Sequence, residues 1–126
     1  MTIEWRPLSE SALWDKLNMS WERMSHSQRW LWEVIRIPPA KWAQLPYGEA
    51  GGGFWAVAVI GSSVIWYNDI EEGFNRSSYR AFGVIEEYWC NEDELEWTVQ
   101  LCLDEIQSGV SAGPYASPPK AGEFDA

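Results

Sequence analysis

Seven consecutive apolar residues, Phe54-Trp55-Ala56-Val57-Ala58-Val59-Ile60, constrain this chain more than any other stretch. Entered from Gly51-Gly52-Gly53 and left through Gly61-Ser62, the run reads as a central strand buried on both faces. Gly61-Ser62 suits a tight hairpin turn, so Ser63-Val64-Ile65-Trp66-Tyr67 is expected to return antiparallel. Residues 68–78 then read as a polar connection punctuated by Gly73. A third strand is expected within residues 79–89, with Gly83 marking a bulge or break.

Helices flank this hairpin region. Leu13, Leu17, Trp21 and Met24 recur at spacings that stack them on one helical face, and Ser9 or Ser11 can cap its start. Ser25 and Gln28 form a capping box, placing a second helix from near His26 to Arg36, with Pro38-Pro39 as its stop and residues 38–53 as a connector. A last helix is expected behind Asn91 as N-cap, with Glu92, Asp93 and Glu94 in the first turn and Gly109 as the stop. Its core face is Leu95, Val99, Cys102 and Ile106. The predicted fold class is α+β: two N-terminal helices, a three-stranded antiparallel β-meander and a C-terminal helix. Residues 1–108 read as a single domain and residues 109–126 as a flexible tail rich in Pro, Gly and Ser.

With 126 residues, the chain is large enough to bury a real core without metal or disulfide staples. The charge is −10 and unevenly spread. Residues 69–105 carry eleven acids against Arg76 and Arg80, a net of −9, whereas residues 1–42 carry a net of +1. Nucleic acid and anionic membranes are thereby poor partners, because binding phosphate needs clustered Lys and Arg. Cys90 and Cys102 make no disulfide framework, and the first residues contain no signal-like apolar run, so a reduced, cytoplasmic setting is expected.

Chemistry-bearing patterns are sparse. His26, the one histidine, lies between Ser25 and Ser27, too close in sequence for a triad and unable to complete a zinc site with two distant cysteines. Residues 69–75 lack the ligand order of a calcium loop, and Gly51-Gly52-Gly53 lacks the Lys-Ser/Thr of a phosphate loop. Neither metal nor cofactor is expected. An enzyme would need a carboxylate pair, with Asp69 or Glu72 opposing Glu86 or Glu87 across the sheet. A sugar-binding domain would use exposed tryptophan faces with Asn68, Asp69 and Asn75. Binding is favoured over catalysis, because acidic charge and large aromatics coincide.

The expected contact surface comprises Asp69, Glu71, Glu72, Glu86, Glu87, Trp89, Trp97 and Leu101. Trp97 and Leu101 lie on the last helix opposite its core face, with Glu94, Glu96 and Glu105 around them. An apolar centre with a charged rim suits a protein partner with a basic surface, or a second copy of the chain. Of the ten tryptophans, Trp21 and Trp55 are the expected core members.

Three segments carry a resemblance: Val59-Ile60-Gly61, Trp66-Tyr67-Asn68-Asp69-Ile70-Glu71-Glu72-Gly73-Phe74-Asn75, and Glu87-Tyr88-Trp89-Cys90-Asn91-Glu92-Asp93-Glu94-Leu95. They look like the signature of an uncharacterised family of small bacterial proteins, over residues 54–97, and that family brings no established activity. In element order, helices followed by Leu45-Pro46, Gly51-Gly52-Gly53, a meander and a closing helix, the chain also resembles bacterial immunity domains of the SUKH superfamily. That likeness implies a domain that binds and neutralises a toxin protein.

Overall fold

The computed structural model describes residues 5–109. Helix α1 (Glu10–Arg23) starts at Ser9, whose hydroxyl accepts from the Ala12 amide at 3.1 Å. Helix α2 (His26–Ile35) opens with the predicted box: Ser25 Oγ accepts from Gln28 N at 3.2 Å, and Gln28 Oε1 accepts from Ser25 N at 2.8 Å. Strands β1 (Arg36–Trp42), β2 (Phe54–Ile60), β3 (Ser63–Asn68) and β4 (Gly73–Ser78) form an antiparallel sheet in chain order. Helix α3 (Leu95–Ser108) closes the fold and stops at Gly109 in the left-handed conformation, as expected. The α+β class therefore holds, with four strands where three were expected. The predicted tail falls almost wholly on residues 110–126, outside the described residues.

Two strands were hidden by their own composition. In β1, Pro38-Pro39 supply no N–H, and the pairing with β2 is irregular between Arg36 and Ala40. Proline is tolerated there because β1 is an edge strand. β4, read as a polar connection, is the other edge. The strand expected within residues 79–89 does not form; residues 79–94 instead run as a strap over the sheet. Its backbone is bound by side chains at alternate residues. Ser77 Oγ donates to Glu87 O at 2.7 Å, Asn68 Nδ2 to Trp89 O at 2.9 Å and Asn75 Nδ2 to Asn91 O at 3.1 Å. Asn91 N returns a bond to Asn75 Oδ1 at 2.9 Å, so Asn91 serves the strap and Glu94 is the N-cap of α3.

The sheet is buried on both faces, as the apolar run of β2 requires. On one side Leu13, Leu17, Leu31, Trp32, Val99 and Cys102 from the helices meet Val57, Ile65, Tyr67 and Phe74. On the other, Trp42, Phe54, Val64 and Trp66 pack with Ile85 of the strap. Phe54 and Trp66 lie 4.8 Å apart, and Trp66 Nε1 donates to Ser77 Oγ at 2.9 Å. The fully buried tryptophans are thus Trp42 and Trp66, while Trp21 and Trp55 only flank the core. Both of the latter carry polar business at the surface: Arg29 stacks over Trp21 at 4.8 Å, and Trp55 Nε1 donates to Leu8 O at 2.7 Å. Among the described residues no helix is long and apolar enough to cross a membrane.

Candidate functional site

The turn between β3 and β4 is built by Asn68, whose Oδ1 accepts from the amides of Ile70 at 3.0 Å and Glu71 at 3.2 Å. Such an Asx turn shapes the backbone locally. Glu72 completes the turn at φ 60, and both Glu71 and Glu72 stand exposed. The strap delivers more charge to this point, because Phe74 N donates to Asp93 O at 2.8 Å. Gly73 makes the approach possible: a Cβ there would lie 2.2 Å from Asn91 O and 2.3 Å from Glu92 Cα. Glu92, Asp93 and Glu94 consequently sit beside Glu71 and Glu72, forming an acidic pole at one end of the sheet.

Cations at the pole come from α1. Arg23 donates to Glu94 at 2.9 Å and pairs with Glu96 through its Nε. Burial works to raise the Glu96 carboxyl, but the Arg23 hydrogen bond and charge, together with hydrogen bonds from its own backbone and Ser20, outweigh it and hold the carboxyl below its ordinary range. Between α1 and the turn lies a cleft lined by Lys16, Met19, Arg23, Tyr67, Glu72 and Asp93. Burial, with help from Glu72, pushes the Tyr67 phenol up to about 12, so it stays protonated. Burial also pushes the Asp93 carboxyl up.

The expected contact residues do not form one surface. Glu71 and Glu72 belong to the pole. Asp69 faces inward, its Oδ2 accepting from Leu8 N at 2.7 Å, and burial pushes its carboxyl up. Glu86 and Glu87 lie at the opposite end of β4, where Glu86 pairs with Arg80 at 3.2 Å and Glu87 accepts from Ser78 N at 2.9 Å. The strand from Gly73 to Ser78 separates the two ends by about 17 Å. Paired-carboxylate hydrolysis needs roughly 5–10 Å, so Glu72 and Glu87 form no such pair. Asn68 and Asn75, named for a sugar site, are buried and spent on the strap.

On α3, Trp97 is 54% exposed and sits one turn beyond Glu94, beside the pole. Leu101 is half-buried against Phe74, Arg76 and Glu105, so the two residues do not share an exposed face. Trp89 is half-buried in the strap, and Ile106, expected in the core, is exposed. A separate apolar patch of Leu45, Tyr47, Phe82 and Val84 lies where the Ala43–Val84 bridge joins two loops. Sequence reasoning assigned Glu92, Asp93 and Glu94 to a helical first turn and missed Lys16, Met19 and Tyr67 altogether. The available signal was the pair of polar residues Asn75 and Ser77 at alternate positions, which marks a strand face that binds something polar. Among the described residues no cluster of His, Cys, Asp and Glu is arranged to hold a metal. No protein-family model, curated protein or solved structure matches the chain.

Proposed function

We propose that this chain is a non-catalytic protein-binding domain of the immunity or inhibitor type, which masks a basic partner protein at its acidic pole. The observation that carries the reading is the convergence of Glu71, Glu72, Glu92, Asp93 and Glu94 beside an exposed Trp97. Three of these acids arrive from a distant part of the chain, held by dedicated side-chain hydrogen bonds. Charge of one sign concentrated at one end steers a basic partner toward it, and an exposed tryptophan supplies contact area once it arrives.

The test is capture from a lysate of the cells that make the protein, using immobilised wild type and a Glu71→Gln/Glu72→Gln/Glu92→Gln variant. A basic protein retained by wild type, released by salt and lost with the variant is the expected result. Retention unchanged in the variant, or unaffected by salt, contradicts the proposal.

A further inference from the structure

We infer that the cleft between α1 and the β3–β4 turn receives an arginine side chain of the basic partner, an inference that rests on reading the pole as a partner-binding surface. Tyr67 is the key observation. The residue is 3% exposed and lines the cleft, and its hydroxyl has no hydrogen-bond partner among the described residues. The oxygen reaches the solvent of the cleft, so the hydroxyl of an otherwise buried tyrosine is free to bond a ligand atom there.

The rest of the lining selects the ligand's chemistry. Among the described residues no cation lies in ion-pair reach of Glu72 or Asp93, and burial alone accounts for the raised Asp93 carboxyl. An unpaired, half-buried carboxylate gains from any cation that reaches it. Arg23 is already engaged by Glu94 and Glu96. Lys16 stands 5.3 Å from the centroid of the Tyr67 ring, on its face, on a flexible stem that can swing away. Met19, Phe74 and the Tyr67 ring supply apolar and aromatic surface within a lining that also carries Lys16, Arg23, Glu72, Asp93 and Glu94. Unspent acceptors beside apolar and aromatic surface match a guanidinium, which is planar, weakly hydrated and carries donors only.

Three capped tripeptides, Gly-Arg-Gly, Gly-Lys-Gly and Gly-citrulline-Gly, provide the test, followed by amide NMR shifts of the full chain. The arginine peptide is expected to shift Gly73, Phe74 and Asp93 saturably, and the isosteric, uncharged citrulline peptide to leave them in place. Tyr67→Phe, which keeps the ring, is expected to weaken arginine binding about threefold to tenfold, the range for one hydrogen bond. Asp93→Asn is expected to weaken it about tenfold, and Lys16→Gln to strengthen it more than Arg80→Gln does at the far end of β4. Equal binding of the citrulline or lysine peptide overturns the assignment, as does indifference to Tyr67→Phe and Asp93→Asn. An octa-arginine peptide separates the two levels of the argument. If Glu71→Gln/Glu92→Gln weakens it and the cleft variants do not, the cleft assignment falls and the pole stands; if it does not bind at all, both fall.

Discussion

Asn75 ties the strap to the sheet, and Asn75→Ala measures how strongly. The side chain is 1% exposed and makes three hydrogen bonds: Nδ2 to Asn91 O at 3.1 Å, Nδ2 to Gly73 O at 3.3 Å, and Oδ1 from Asn91 N at 2.9 Å. Each is worth about 1 kcal/mol net, and leaving the Asn91 amide without its partner adds about 1–2 kcal/mol. A loss of about 4–5 kcal/mol follows, large against the 5–15 kcal/mol typical of a whole domain. For a chain of this size that lowers Tm by about 10–20 °C. Urea unfolding followed by tryptophan fluorescence gives the free energy directly. Asn75→Asp sharpens the test, since it keeps the acceptor for Asn91 N and turns the donor into an oxygen facing two carbonyls. The folded state then disfavours the ionised carboxylate, raising its pKa above the unfolded value of about 3.9. Such a variant is most stable in acid and loses stability as pH rises from about 4 through the folded value. A cost under about 1 kcal/mol for Asn75→Ala, or an Asn75→Asp variant more stable at neutral pH than in acid, would refute the account of the strap.

Gly73→Ala carries no penalty from a positive φ, but its Cβ would collide with Asn91 O, so a loss of about 1–3 kcal/mol is expected in the same unfolding assay. Tyr67 is expected to ionise at about 12 in a spectrophotometric alkaline titration. Because its folded pKa is raised, the contribution of Tyr67 to stability is intact below the unfolded value of about 10 and is lost as pH climbs toward about 12. Trp97→Ala should leave stability within about 1 kcal/mol, given its exposure, while speeding partner dissociation about tenfold with little change in association rate.

Local signals in the sequence were legible wherever one element decides its own structure. The Ser25–Gln28 box, the β2 run with its Gly61-Ser62 turn, and the Gly109 stop all depend on neighbours in the chain, and all appear as expected. The misreadings concern elements whose pairing is settled from outside. Pro38-Pro39 argue against a strand unless that strand is known to be an edge. The polar β4 makes sense only once the strap that Asn75 and Ser77 bind is in place. Charge alone also misled at the site. Glu86 and Glu87 are as acidic as Glu71 and Glu72, yet ion pairing and hydrogen bonds at the far end of β4 occupy them. The Tyr67 hydroxyl was invisible from sequence because its value depends on the cleft that α1 and the turn form around it.

Hydrogen exchange on the complex with a captured partner tests the acidic pole most directly. The account predicts new protection at residues 70–74 and 91–98, with residues 43–48 and 80–88 unchanged. Protection confined to the loops carrying Leu45, Tyr47, Phe82 and Val84 would contradict it and move the binding surface to that apolar patch.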